Sequence, residues 1–234
     1  MPPVSPLRGA DASGTTAASL SLFKCRGCGS SSGTVLVELG ELPLANAFVA
    51  TADEDTDRFT RDLTLVMCSE CLLIQIRDEV PRERLFSTFL WVTGTSRDAA
   101  VHARWLASRL CERHFHAGRR FLVEVASNDG FFLRHYKEAG FDVLGVDPAD
   151  VTAVAVRQGL PTIRDFFGES VADTIVAQRG QADVIVARNV LGHSSELRDL
   201  VRGMKRLLAP DGVLVLEMPY AHFLRDETQY DTIF

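Results

Sequence analysis

From Phe121 onward, short apolar runs alternate with stretches whose apolar residues recur at helical spacing. The runs near 121–126, 142–146, 161–164, 183–188 and 212–217 read as strands, and the stretches near 130–139, 149–158, 168–178 and 196–208 as helices. Strands and helices alternating at this rhythm predict an α/β unit, a doubly wound parallel sheet with helices on both faces. Its ligand is expected across the carboxyl ends of the first strands. Pro210-Asp-Gly212 is expected to turn the last helix into the last strand.

The first half of the chain has a different texture. Pro2, Pro3, Pro6, Gly9 and Gly14 break any periodicity in Met1–Ser21, which reads as a flexible tail. Two Cys-x-x-Cys knuckles follow, Cys25/Cys28 and Cys68/Cys71, separated by thirty-nine residues and bordered by strand-like runs. Each knuckle sits at a turn where two thiolates can bite one metal, and two knuckles supply the four sulfurs of a tetrahedral zinc. Separate thiols or redox pairs are the competing reading. A zinc here is structural, because four thiolates leave no open position for water. A small β-insertion, Val35 to Val49, is expected between the knuckles, where Asn46 and Phe48 read as a turn amide and a core ring.

Pro81–Phe89 predicts a short helix and Arg97–His114 an amphipathic one whose apolar face is Trp105, Leu106 and Leu110. Between them Trp91-Val-Thr-Gly-Thr-Ser96 offers hydroxyls that either bind a polar ligand or, at Ser96, cap the helix. His102, His114 and His116 read as solvated, and Cys111 as a small hydrophobe. The division is thus a tail (1–21), a β-rich zinc-binding domain (22–80), connecting helices (81–117) and a nucleoside-binding α/β domain (118–234).

Charge and composition narrow the partners. A net charge of -6 and a pI near 5.5 speak against a nucleic-acid surface or an anionic membrane. No apolar run approaches the ~20 residues of a membrane span, and the first twenty residues lack a secretory apolar core. A cytoplasmic location with reduced thiols is therefore expected, which favours zinc over disulfides.

Candidate ligand chemistry centres on the turn after the first strand of the sheet. A dinucleotide loop wants Gly-x-Gly-x-x-Gly, and that pattern fails here. Counting from Glu124, the small positions are Ala126, Asn128 and Gly130, the spacing of the acidic-x-Gly-x-Gly-x-Gly loop of class I S-adenosylmethionine-dependent methyltransferases. On that reading Glu124 reaches the ligand's amino group, and Asp147, twenty-three positions later, the ribose hydroxyls. Asp165 accepts from the adenine amino group, with Phe166 beside the base.

The chain resembles the deoxysugar C-methyltransferases. The matching pieces are the two knuckles, Glu-Val-Ala-Ser-Asn-Asp-Gly-Phe-Phe-Leu (124–133), Gly-Val-Asp-Pro (145–148), Pro-Thr-Ile-Arg-Asp-Phe-Phe-Gly (161–168), Ala-Arg-Asn-Val-Leu-Gly-His (187–193) and Gln-Tyr-Asp-Thr-Ile-Phe (229–234). The resemblance implies an S-adenosylmethionine-dependent C-methyltransferase acting on a dTDP-bound keto-deoxysugar in deoxysugar and antibiotic biosynthesis. It implies His193 as the active-site histidine and Asn189 as a cofactor or loop contact, with Tyr220 and His222 as weaker candidates. Two departures stand out. Where relatives carry tyrosines this chain has Phe89 and Trp91, which leaves the base unassigned. The relatives also continue past the segment matching Asp231–Phe234 into a His-Glu-His stretch, two more strands and a C-terminal domain. The Rossmann-like sheet is therefore expected to be incomplete, lacking its last strands and exposing Val213–Leu216 as an apolar edge. A truncated product, or half of a split system with a partner chain, follows as an expectation. A zinc- and cofactor-binding module without turnover is the rival from another class, and a dinucleotide-dependent dehydrogenase is disfavoured by Asn128.

Overall fold

The computed structural model describes residues 23–44, 59–87, 92–114, 120–220 and 226. The tail, Asn46, Phe48, Phe89, Trp91, His116, His222 and the 229–234 motif lie outside the described residues. In the first part, strands β1 (Gly33–Pro43), β2 (Thr60–Cys68) and β3 (Ile74–Ile76) form an antiparallel sheet in that order. Phe23, Cys25, Val66 and Cys68 make its small buried core, with Val35 and Leu73 against it. The β-insertion expected from Val35 is present as β1, starting at Gly33, where an added Cβ would lie 2.7 Å from Val66 and 2.9 Å from Phe23.

Helix α1 (Arg82–Phe86) and a 3-10 turn (Thr93–Thr95) lead into α2 (Arg97–His114). The Ala99 N–H donates to Ser96 Oγ at 3.3 Å, so Ser96 does cap this helix. The apolar face of α2 is Ala103, Leu106, Ala107 and Leu110. Trp105, expected on that face, is instead 55% exposed, because its position in the helical repeat falls between the buried ones.

The α/β part follows as β4 (Phe121–Val125), α3 (Phe131–Glu138), β5 (Asp142–Val146), α4 (Thr152–Arg157), β6 (Thr162–Ile163), α5 (Glu169–Arg179), β7 (Ala182–Arg188), α6 (Leu197–Leu207) and β8 (Leu208–Glu217). The five strands run parallel in the order β6-β5-β4-β7-β8. One face of the sheet packs against α2, α3 and Ala155 of α4, the other against α5 and α6. The last strand begins at Leu208 rather than after Gly212: Leu208 pairs with Ala182 and Val213 with Val184, so Pro210-Asp-Gly212 lies in a bulge within β8. Leu214 and Leu216 on β8 are more than one-third exposed, and among the described residues β7 is its one strand neighbour.

Gly130, at the entry to α3, has φ 75°, and a Cβ there would lie 2.7 Å from both Ala155 Cβ and Leu160 Cδ1. Only glycine satisfies the conformation and the close approach together. Gly130→Ala is expected to destabilise the fold by about 2–4 kcal/mol from strain plus overpacking, measured by urea unfolding.

Candidate functional site

Parallel strands bring all their carboxyl ends to one edge, and there the chain turns back through a strained loop. Ala126, Asn128 and Gly130 adopt positive φ of 60°, 52° and 75°. These are the three small positions singled out by spacing, and the left-handed conformation explains why small residues or glycine suit them. Ala126 and Ser127 donate their N–H groups to the Val146 carbonyl at 2.8 and 3.3 Å, tying the loop to the end of β5. The 3-10 turn latches it from above: the Thr93 N–H and hydroxyl donate to Asn128 Oδ1 at 3.1 and 3.3 Å, and the Gly94 N–H to Asp129 Oδ2 at 3.0 Å. Asp129 also accepts from the Phe131 N–H at 3.2 Å, starting α3. Sequence reading missed Asp129 as the tie between the loop and the 3-10 turn; its place one residue before a glycine and a helix start was the available signal.

Over this edge lies a cavity of about 560 Å³, within the usual range for a small-molecule site. Ala126, Asn128, Asp147, Phe166, Asn189 and His193 all border it, as do Arg82 and Phe86 of α1 and Ser96. Asp147 is buried and held by two backbone amides, its Oδ2 accepting from Asn128 at 2.9 Å and its Oδ1 from Ala149 at 2.8 Å. Burial raises its carboxyl above the usual range, against the pull of those two N–H groups. Phe166 carries the Arg82 guanidinium 4.4 Å above its ring. His193 sits in a 3-10 turn (Leu191–His193) after β7, its ring 5.8 Å from that of Phe86. Burial lowers its pKa, so the imidazole is neutral at pH 7.

Three of the candidate positions do not border the cavity. Gly130 lies beneath it against α4. Asp165 is exposed and accepts from the Phe166 N–H at 2.7 Å. Glu124 is fully buried, because strand alternation turns it to the same face as Leu122, under α3. The same alternation brings Arg188 of β7 to that face, where its Nη2 lies 3.2 Å from Glu124 Oε1 and its guanidinium 3.2 Å from the Phe132 ring centroid. Desolvation pushes the Glu124 carboxyl up to about 7 despite the cation beside it. Its Oε2 has no hydrogen-bond partner among the described residues. Arg188, absent from the sequence-based candidates, is thus what Glu124 presents to the cavity. Tyr220 is exposed and lies off the cavity wall. Cys111 packs beside the core with its thiol pKa raised by burial, as suits an inert thiol.

The four knuckle cysteines converge, their sulfurs all within 4.8 Å of one another. The pairs Cys25/Cys71 and Cys28/Cys68 are both 3.5 Å apart. Sulfurs on a tetrahedral zinc, each about 2.3 Å from the metal, lie about 3.8 Å from each other, so the cluster fits that ion. Buried Gln75 of β3 clamps the first knuckle beside the second, accepting from the Arg26 N–H at 2.9 Å and donating to the Lys24 carbonyl at 3.0 Å. Burial acts to raise the Cys25 thiol, but the Cys28 and Gly27 amides and neighbouring thiols bring it down to about 7. The Ser30 amide pulls on Cys28, yet burial and the other thiols push it up to about 12. Four thiols this close cannot all ionise without a cation between them.

Comparison with known proteins matches two parts of the chain. Residues 25–86 match a family model described as "Putative zinc binding domain", and residues 100–231 one described as "Methyltransferase domain". The chain belongs to the methyltransferase-domain family. Its cofactor is S-adenosylmethionine, with zinc in the preceding cysteine cluster. The chain is 31% identical over 212 residues to the C-methyltransferase NovU of Streptomyces niveus, covering 90% of this chain and 50% of that protein. It therefore spans about half the length of that curated relative. Among solved structures it is similar to the sugar N-methyltransferase KedS8 from Streptoalloteichus sp ATCC 53650, at 26% identity over 61% of this chain and 58% of that one, TM-score 0.45. It is also similar to DesVI of Streptomyces venezuelae, at 21% identity over 54% and 53%, TM-score 0.43.

Metal analysis of protein purified under reducing conditions is expected to give about one zinc per chain, and Cys68→Ser to lose it with a fall in melting temperature. Glu124, protonated more readily in the fold than in the open chain, contributes its full stability below about pH 4.5 and loses it as the pH rises to about 7. The loss is on the order of 1–3 kcal/mol. Denaturant unfolding across pH 5–8 checks it, and the slope should flatten in Glu124→Gln.

Proposed function

We propose that this chain carries the cofactor site of an S-adenosylmethionine-dependent C-methyltransferase whose acceptor is a dTDP-bound keto-deoxysugar. The observation that carries this reading is the cavity over the strand ends, with Asp147 fixed by two amides at the place where a ribose would lie. Ala126 and Asn128 in place of glycines favour an amino acid and thioether over a pyrophosphate. The sugar-directed part of the proposal is supported by the zinc cluster ahead of the methyltransferase domain and by the similarity to NovU.

In this reading Asp147 accepts from the ribose hydroxyls and Phe166 flanks the adenine, while Asp165, which does not border the cavity, is given no contact with the base. Arg188, backed by Glu124, offers a cation to the carboxylate of the methionine part. Asn189 shapes the turn after β7. The acceptor enters from the α1 side, where neutral His193 can hydrogen-bond a ketone. Transfer then rests on alignment of the acceptor carbon with the methyl group and on steadying the charge that develops on the ketone oxygen. The half-exposed leucines of β8 support a further segment, from this chain or another, pairing along that strand. A four-thiolate zinc site needs reduced cysteines, which suits a cytoplasmic location. No helix among the described residues is long and apolar enough to cross a membrane.

Calorimetry tests the cofactor assignment. S-adenosylmethionine should bind and NAD should not, and Asp147→Ala should weaken S-adenosylmethionine binding by about 10-fold or more, the worth of a lost charge-assisted pair of hydrogen bonds. An unchanged affinity in that variant overturns the ribose assignment.

A further inference from the structure

Helix α1 has five residues, none of them buried, so neither its own hydrogen bonds nor a core of its own fixes where it stands. Its neighbours do. Arg82 and Phe86, one turn apart, share a face of the helix. That face meets the cavity, where the Arg82 guanidinium lies 4.4 Å over the Phe166 ring and the Phe86 ring lies 5.8 Å from that of His193. Arg84, two residues from each, belongs to the opposite face. Its guanidinium lies 4.4 Å over the ring of Phe59, which also carries the guanidinium of Arg61 on β2 at 4.4 Å. The helix therefore bridges the zinc module and the cavity, one face on each.

The stretch leading into α1 is tied to the first cysteine knuckle itself. Arg26 stands between Cys25 and Cys28, and its side chain, only 10% exposed, reaches along the chain that enters the helix. Its Nη2 donates to the Ile76 carbonyl at 3.1 Å and its Nε to Glu79 Oε1 at 3.0 Å, three residues before α1 begins. At the other end of the helix the Ser87 carbonyl accepts from the Asp150 N–H at 3.2 Å, on the loop after β5 that carries Asp147. Cys28 and Cys71 are exposed, so a shared metal rather than burial joins the two knuckles on that side.

We propose that zinc in the cysteine cluster and S-adenosylmethionine in the cavity are coupled through Arg26 and α1, each raising the affinity of the chain for the other. The inference rests on the cofactor placement proposed above. With zinc bound, Arg26 is held where it fixes the chain at residues 76 and 79, and α1 stands against Phe166 and His193. With zinc gone, the first knuckle is released from the second and α1 loses the tie at its start. The wall beside Phe166 then spends part of its time away from the cavity, and the apparent affinity for the cofactor falls with the fraction of molecules whose wall is in place. Linkage is reciprocal, so the cofactor must hold zinc in the cluster more tightly by the same factor. Arg26, Arg84 and Phe59 are positioning residues: they act through α1, and none of them is a knuckle cysteine or borders the cavity.

Calorimetry tests the coupling with S-adenosylhomocysteine as the probe, on zinc-loaded chain and on chain stripped by a chelator under reducing conditions. The stripped chain should bind the probe about fivefold or more weakly, the lower end of the usual coupling between two sites. In the reverse direction, saturating S-adenosylhomocysteine should raise zinc affinity by the same factor, read by competition with a chromogenic chelator. Arg26→Ala keeps all four cysteines. It should retain about one zinc per chain, bind the probe about fivefold or more weakly than wild type, and lose the effect of the probe on zinc affinity. Hydrogen exchange reads the wall itself. Amides 84–87 should exchange several-fold faster in stripped chain and in Arg26→Ala, while β4 and β5 keep wild-type protection, a pattern that general destabilisation does not give. An affinity for the probe within about twofold of loaded wild type in zinc-loaded Arg26→Ala overturns the coupling alone, as does the same result in stripped chain that keeps its strand protection. A zinc-loaded wild-type chain that does not bind the probe overturns the cofactor placement and the coupling with it.

Discussion

Everything at the site depends on the parallel register of β4 between β5 and β7. Glu124 pairs with Gly145 on one side and Val186 on the other, so the loop after β4, the carboxylate after β5 and the turn after β7 emerge at one level. Gly145 makes this approach possible, since a Cβ there would lie 2.5 Å from Ser127 Oγ. A shift of β4 by one residue in this register would turn Glu124 to the face opposite Arg188 and carry Asp147 away from the Asn128 amide. The strain of Ala126, Asn128 and Asn189 in the left-handed region is concentrated at the same edge, as expected where a chain is bent for a ligand rather than for stability.

The same register explains the electrostatics. Glu124 and Arg188 are drawn together because alternate residues of neighbouring strands share a face, and the pair is buried under Phe132 and Tyr136. Such a pair is an uncertain source of stability, since the cost of removing two charges from water offsets their attraction. Its value here is positional: Glu124 fixes the guanidinium at the cavity wall. Glu217 repeats the arrangement with His102 one strand further out, where partial exposure keeps both partners in touch with solvent.

The zinc module contributes more than a separate fold. Gln75 and the cysteines fix the strands of that module, and the chain leaving it forms α1, which delivers Arg82 to Phe166 and Phe86 to His193. The 3-10 turn beyond it is bonded to Asn128 and Asp129. The end of the first matched region and the turn that follows it therefore form one wall of the cavity.

Local pattern determined much of this by itself. Cysteine spacing was enough for the metal cluster, because two turns each present a pair of thiols whatever lies between them. Hydrophobic periodicity was enough for the strands and helices of a parallel sheet, and the spacing of Ala126, Asn128 and Gly130 for the strained loop. Residue directions and long-range partners were decided by the tertiary structure. Glu124 was legible as an acidic residue near the loop, but its burial against Arg188 follows from which strand lies beside β4. Trp105 and His102 were misread because a helix pattern shows which residues are apolar and not what waits opposite them. His102 meets Glu217 at 2.6 Å only when β8 adds to β7 and α2 packs across the sheet.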